Sequence, residues 1–318
     1  LSTNVHIEKE TNIAISMKLD GLIAAVHTPM YDDFSVNYDR VPAQAEYLAE
    51  AGVTGVFVTG TTGECHSLTT DERIKLFKAW GSVAHRNGLK FVAHVGHNNL
   101  PDSQSMVRAA VENGADVISA MAPNFFKPAD AAALCDWFAQ VIEPAPELPF
   151  YFYDIPGMTG VTINTSEFVQ IASEKVPGMV GVKYTNPDRD QLRAILSTNG
   201  YAPDMLFGCD EELLEGLEIG CRGAVGSTYN FSAPLYRRII AAFDSGDIET
   251  AQRDQAKSAE MVRTIAKYNY IPGAKAVMAM VGVECGPARL PLRDLSPQSV
   301  GNLEHDLKSI GFFDWALG

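Results

Sequence analysis

The sequence predicts an α/β fold, a (β/α)8 TIM barrel with additional C-terminal helices, on three observations. Eight short, nearly continuous apolar runs recur along the chain, the pattern of strands in a parallel sheet covered on both faces. A helix-like stretch follows each run, and eight βα units in order favour a closed barrel over an open doubly wound sheet. Several helices end in a glycine that leads straight into the next strand, as in Glu50-Ala51-Gly52-Val53, Glu112-Asn113-Gly114-Ala115 and Glu218-Ile219-Gly220-Cys221. Glycine tolerates the left-handed residue that caps a helix, so its recurrence marks short αβ loops in repeated units.

In chain order, strands are expected at residues 22–27, 55–59, 91–94, 117–120, 150–153, 179–183, 205–208 and 224–227. The clearest helix covers 71–86, because Thr69-Thr70-Asp71-Glu72 has the spacing of a capping box. The pattern GxGxxG is absent after the first strand, which weakens a dinucleotide-binding reading. From about Ser245 the strand signal stops, and 247–267, 273–281 and 297–310 read as helices packed on the barrel. The expected organisation is an N-terminal extension over 1–18 (a tag or disordered), a barrel over 19–244 and C-terminal helices over 245–318.

A chain of 318 residues suits one barrel of about 250 residues plus extra helices, and buries a core large enough to need no disulfide or metal. No apolar run approaches the roughly 20 residues that span a bilayer, and Glu8, Lys9 and Glu10 interrupt the first stretch, which does not read as a secretory leader. The net charge of −14 repels phosphate backbones and anionic lipid, so neither nucleic acid nor membrane is an expected partner. The 5 cysteines are scattered without a CxxC pair, which fits a reducing cytoplasm better than a disulfide framework or zinc ribbon.

Active sites of these barrels lie at the C-terminal ends of the strands, so the residues expected there are the candidates. Lys183 closes the sixth strand. Desolvation there would free its amine as a nucleophile, whereas the alternative is a lysine that reaches out to water or pairs with an acid. Tyr153, one strand away, is either a proton-transfer phenol or a core tyrosine with a satisfied hydroxyl. Gly60-Thr61-Thr62-Gly63 is either an anion-binding nest of N–H groups and hydroxyls or a flexible turn. Glu64 would repel an anion if it faced inward, so it is expected to support the loop. Asp210 and Glu211 follow the seventh strand, away from the lysine, and could hydrogen-bond a polyol; equally they are first-turn acids favoured by a helix dipole. His27, His66, His94 and His97 lie near strand ends without a paired carboxylate motif, so no metal is expected, and a lysine that forms an imine supplies its own electron sink, so no organic cofactor is expected either.

The segments Gly60-Thr61-Thr62-Gly63-Glu64, Tyr153-Asp154-Ile155-Pro156, Gly181-Val182-Lys183 and Gly226-Ser227-Thr228-Tyr229-Asn230, in this order and spacing, resemble the N-acetylneuraminate lyase and dihydrodipicolinate synthase family. The resemblance runs from about Leu22 to the C-terminal helices. It implies that Lys183 forms an imine with a 2-keto acid, that Tyr153 transfers protons and that Thr61 and Thr62 bind the carboxylate. Within the family the chain is most similar to the sialic acid-cleaving members. Gly208-Cys209-Asp210-Glu211 matches their G-x-D-E segment, whose acids hold the sugar tail; Ser227 and Thr185 fall at their substrate-facing positions. Met158 stands where the synthases carry an arginine for a second carboxylate, so a dicarboxylate would be poorly held. Asp154 replaces the more usual Asn. Asn124-Phe125-Phe126 occupies the segment that often supplies a tyrosine to a neighbouring subunit, which speaks against a hydroxyl relay from there.

The resemblance therefore implies reversible cleavage of N-acetylneuraminate (sialic acid) to N-acetylmannosamine and pyruvate by a homotetramer. The alternatives are an aldolase for another 2-keto-3-deoxy sugar acid, and a non-catalytic sugar-acid-binding barrel, which fold alone does not exclude.

Overall fold

The computed structural model describes residues 17–198 and 202–316. The extension expected over 1–18 lies outside the described residues except for Met17 and Lys18. Eight parallel strands close into a barrel in sequence order: β1 (Gly21–Ala25), β2 (Gly55–Val58), β3 (Lys90–His94), β4 (Val117–Met121), β5 (Phe150–Asp154), β6 (Met179–Tyr184), β7 (Asp204–Phe207) and β8 (Gly223–Gly226), with β8 pairing back onto β1. Every expected strand is present, with ends shifted by one or two residues.

Period-two alternation sorts side chains between two apolar clusters. Inside the barrel stand Ile23, Phe57, Val92, Val117, Tyr151, Tyr153, Leu206 and Val225, while Val56, Phe91, Ile118, Phe152, Val182 and Phe207 pack outward under the helices; Val180 joins the inner cluster only because the β5–β6 register shifts between Met179 and Gly181. The N-terminal end is plugged by a polar knot: the Tyr151 hydroxyl donates to Asp204 Oδ2 at 2.6 Å, and the Leu19 N–H donates to the same oxygen at 3.0 Å. The open end is thus the one where the strands finish.

The helix after β2 spans Thr70–Gly81 and carries the full capping box between Thr69 and Glu72. It stops short of Arg86 because Gly81 and Ser82 are weak helix formers, and the chain tightens into a 3-10 turn at His85–Asn87. Gly52, Gly114 and Gly220 take φ of +80°, +72° and +114°, the left-handed geometry that the helix–glycine–strand pattern requires. The C-terminal helices are Ile248–Ala266, Tyr270–Met280 and Pro297–Ser309, followed by the short turn Phe312–Trp315. They bury Met261, Ile265, Val277, Met278, Leu303, Leu307 and Phe312 in the outer core. No helix among the described residues is long and apolar enough to cross a membrane.

Candidate active site

Lys183 pairs in register with Tyr153 on β5 and Leu206 on β7, and alternation sends it into the barrel mouth. It is 4% exposed and has no ion pair or hydrogen bond among the described residues. Its Nζ lies 3.8 Å from the centroid of the Tyr153 ring and 4.2 Å from that of Phe57. A cation over ring faces is favoured by roughly 0.5–2 kcal/mol. Burial acts the other way and is larger: it pulls Lys183 from the usual lysine range down to about 7, against the opposing charge of Asp210. Of the two alternatives open at Lys183, the lysine that pairs with an acid or reaches into water is not the one observed.

Tyr153 is buried, with the edges of Phe57 and His94 against its ring at centroid distances of 5.6 and 5.9 Å. Its hydroxyl is 3.2 Å from Thr61 Oγ1. Burial pushes the phenol well above its usual pKa, and hydrogen bonding from Thr61 and Thr185 only partly offsets this. In the resting state the phenol therefore carries its proton and is a donor. Thr185 follows β6; its Oγ1 is buried beside the phenol without a normally shaped hydrogen bond. Gly208 accommodates it: a Cβ on Gly208 would stand 2.0 Å from Thr185 Oγ1 and 2.9 Å from the Tyr184 carbonyl.

The turn Gly60–Glu64 follows β2, and Thr62 within it is 7% exposed. Two non-glycine residues in left-handed backbone bracket it, Thr59 at φ +55° and Glu64 at φ +57°. Each such residue costs on the order of 1–3 kcal/mol and persists only where the surroundings enforce it. At Thr59 the enforcement comes from His94, whose Nδ1 is 2.9 Å from the Thr59 carbonyl. The Thr59 carbonyl can only accept and the Met121 N–H, 3.3 Å from His94 Nε2, can only donate, which together put the proton on Nδ1; Arg73 Nη2, 3.1 Å from that nitrogen, directs its own proton to the His94 carbonyl. Burial, then the neighbouring Arg73 guanidinium, keeps this imidazole neutral. Arg73 itself is fully buried and donates to the Gly96 and His94 carbonyls at 2.9 and 2.6 Å. At the other end, Thr28 Oγ1 donates to the Gly63 carbonyl at 2.7 Å. The alternative of a loose turn does not describe a loop held at this many points.

Across the mouth, Asp210 and Glu211 open the turn after β7. Asp210 Oδ2 accepts from the Thr228 N–H at 2.8 Å and from Thr228 Oγ1 at 2.5 Å, while Ser227 Oγ lies 3.5 Å away. This ties the β7 loop to the β8 loop. The charge of Asp210 acts on Lys183 across the mouth, and one of its oxygens is already taken by protein donors. Glu211 is half-buried and pushed up to about 7, by burial first and then by Asp210. Ser227 Oγ is 2.7 Å from Tyr270 Oη, a residue of the C-terminal helices. Asp154 lies outside this group: its carboxylate accepts from Thr165 Oγ1 at 2.6 Å and Asn186 Nδ2 at 3.0 Å and braces the β5 and β6 loops. Met158 is 65% exposed.

The structure thus brings Lys183, Tyr153, Thr61, Thr62, Thr185, Gly208, Asp210, Glu211 and Ser227 to one end of the barrel. Sequence reading missed Phe57 and Tyr270. Phe57 had a signal, since it stands two residues before Thr59 on a strand whose alternate positions point inward; Tyr270 had none, lying in a helix with no motif. Among the described residues, no group of three or more His, Cys, Asp or Glu could hold a metal ion.

Comparison with known proteins gives a family match over residues 18–310, to the dihydrodipicolinate synthetase family. The N-acetylneuraminate lyase of Rattus norvegicus is 36% identical over 302 residues, covering 94% of each chain. Among solved structures, the N-acetylneuraminate lyase of Proteus mirabilis superposes with a TM-score of 0.89 at 34% identity, over 93% of this chain and 100% of that one. The N-acetylneuraminate lyase (sialic acid aldolase) of Aliivibrio salmonicida gives 0.90 at 32% identity, over 93% and 98%.

Proposed function

The chain belongs to the dihydrodipicolinate synthetase family, and within it we propose a Schiff-base aldolase, a carbon–carbon lyase that cleaves N-acetylneuraminate reversibly to N-acetylmannosamine and pyruvate. The observation that carries this reading is the buried, unpaired Lys183 amine, held near neutral pH beside the protonated Tyr153 phenol and the Thr61 hydroxyl.

The open-chain sugar acid docks its carboxylate on Thr61, Thr62 and the loop N–H groups. Neutral Lys183 attacks the carbonyl at carbon 2, and Tyr153 gives its proton to the departing water. The resulting phenolate lies beside a protonated imine, which stabilises it. Helped by the substrate carboxylate, it takes the proton of the carbon-4 hydroxyl, and the bond between carbons 3 and 4 breaks with its electron pair passing into the imine. N-acetylmannosamine leaves; the enamine is protonated at carbon 3 and hydrolysed to pyruvate, freeing Lys183. The lysine supplies the electron sink, so the step needs no cofactor. Glu211, with Asp210 and Ser227, lines the far side, where the polyol tail would lie, and Thr185 and Gly208 line the wall between it and Tyr153.

The working unit is a cytoplasmic homotetramer that handles small molecules and neither nucleic acid nor membrane. Support comes from the exposed Phe125 and Phe126, 78% and 86% accessible in the single chain, and from the net charge of −14. Borohydride reduction with pyruvate, followed by mass mapping, tests the assignment: a reduced three-carbon adduct is expected on Lys183 alone, together with release of pyruvate from sialic acid. An adduct elsewhere, or none on active protein, refutes it.

A further inference from the structure

Glu64 closes the turn that carries Thr61 and Thr62, and its N–H donates to the Thr61 carbonyl at 3.0 Å. Its own carboxylate reaches away from that turn to the C-terminal region. One oxygen accepts from Lys275 Nζ at 2.7 Å, the other from the Arg289 main-chain N–H at 2.7 Å. The two charged side chains are 1% and 0% exposed, and Lys275 places a second proton on the Pro287 carbonyl at 2.7 Å. The Arg289 guanidinium donates to the Ser67 carbonyl at 2.8 Å and to both oxygens of Glu72 at 2.8 and 2.7 Å. The segment around residues 287–289 is therefore tied to the last residue of the turn and to the chain that follows it.

A buried ion pair is a poor device for stability alone, since an apolar pair of the same shape serves as well or better. It is, however, exacting about geometry. Here it acts on a residue in left-handed backbone whose N–H sets the position of Thr61. Nothing in the carbon–carbon cleavage uses Lys275.

We infer that Lys275 and Glu64 are positioning residues: their buried pair holds the Thr61–Thr62 turn in its anion-binding shape, so that the C-terminal helices set affinity for the keto-acid carboxylate and not the reactivity of Lys183. The inference rests on the reading that this turn receives the carboxylate.

The test compares two probes of equal size, pyruvate and pyruvamide, in which a carboxamide replaces the carboxylate. Each is trapped on Lys183 by cyanoborohydride over a range of concentrations and read by mass. Lys275→Met leaves a buried carboxylate without its cation. It should raise half-saturation for pyruvate about 10- to 100-fold, the loss of one charge-assisted hydrogen bond. Trapping at saturation and the response to pyruvamide should stay within about twofold. Glu64→Gln/Lys275→Met, a neutral pair, should recover part of the loss because no charge is stranded. If Lys275→Met does not fold, the double variant decides alone: pyruvate weakened and pyruvamide unchanged supports the inference. Equal loss for both probes, or no loss for either, overturns it. Absence of a pyruvate adduct in the unaltered protein would overturn the aldolase reading beneath it, a result distinct from the other two.

Discussion

Lys183 Nζ sits 3.8 Å above the face of the Tyr153 ring, across the β5–β6 register that pairs the two residues. The aromatic wall excludes water, and the amine loses hydration without gaining a carboxylate. With its pKa at about 7, the amine is an ammonium at lower pH and cannot attack. Trapping of pyruvate by cyanoborohydride should fall about tenfold per pH unit below that midpoint and level off above it. A midpoint near that of an ordinary lysine, around 10.4, would show that the amine is solvated.

The same burial carries a cost in stability. The folded pKa lies below the unfolded one, so between about 7 and the usual lysine range the unfolded chain binds a proton that the folded chain does not. Stability contributed by this group therefore rises with pH through that window. Lys183→Met should abolish turnover and, at neutral pH, raise stability by about 0.5–2 kcal/mol, as removal of strain from a site often does. Denaturant melts at pH 7 and pH 9 check this: the gain of the variant should shrink at the higher pH.

Tyr153→Phe keeps the ring under Lys183 and removes only the hydroxyl, and with it the contact to Thr61. Loss of one general acid–base group lowers kcat by about 10²- to 10⁴-fold. The amine should keep its lowered pKa, because its environment is built from ring faces and not from the hydroxyl, so Lys183 should still be trapped by pyruvate at equilibrium although the imine forms more slowly without the Tyr153 proton. A variant with near-normal turnover would move the proton transfer to another group.

Gly208→Ala would thrust a methyl to 2.0 Å from Thr185 Oγ1 and against the Tyr184 carbonyl. The β6 and β7 loops would have to part, an overpacking cost of typically 1–3 kcal/mol. Activity should fall more than a thermal melt alone implies, since Thr185 is the residue displaced. Unchanged kinetics with sialic acid would show that Thr185 has room to rotate.

Much of the barrel was legible because its signals are local. Each strand announced itself as an apolar run, Thr69 and Glu72 marked a helix start within four residues, and Gly52, Gly114 and Gly220 each marked a helix end. Lys183, Tyr153 and Thr61 were legible because strand ends in a barrel converge on one mouth whatever the intervening sequence. The braces were not. Lys275 meets Glu64 across 211 residues, and Tyr270 meets Ser227 across 43. Such pairings are set by how the C-terminal helices dock, which no short motif encodes. The support role expected of Glu64 was readable from charge alone, but its partner was not. The tie of Asp210 was hidden for a similar reason: its position after β7 gave no sign that Thr228 on the neighbouring loop would donate to it twice.

Phe125 and Phe126 present their rings to solvent in the isolated chain, in T-shaped contact at 5.0 Å. Two adjacent exposed aromatics are a costly arrangement unless another surface covers them. Light scattering should give a mass near four times 34.5 kDa at micromolar concentration, and Phe125→Asp/Phe126→Asp should lower it. A monomer from the unaltered protein would refute the assembly.

Asp210 and Glu211 are adjacent acids with different tasks, and substitution should separate them. Asp210 is committed to Thr228, and its charge favours the ammonium of Lys183. Asp210→Asn should therefore shift the pH midpoint of pyruvate trapping downward, and should loosen the β8 loop. Among the described residues Glu211 makes no hydrogen bond to a neighbouring loop; burial, and then the charge of Asp210, push its carboxyl up to about 7. With a folded pKa above the ordinary carboxylate value, it is partly protonated at neutral pH and accepts hydroxyl donors best above that value. Loss of a charge-assisted hydrogen bond is worth about 1.5–3 kcal/mol, so Glu211→Gln should lower kcat/KM for sialic acid about 10- to 100-fold. A truncated 2-keto acid that never reaches Glu211 should be affected much less. The advantage of the unaltered protein on sialic acid should also grow between pH 6 and pH 8, as Glu211 ionises. If both substrates slow equally in Glu211→Gln, or neither slows, the far side of the mouth does not hold the sugar tail, and the preference for sialic acid would have to reside elsewhere. The trapping result on Lys183 is independent of that outcome.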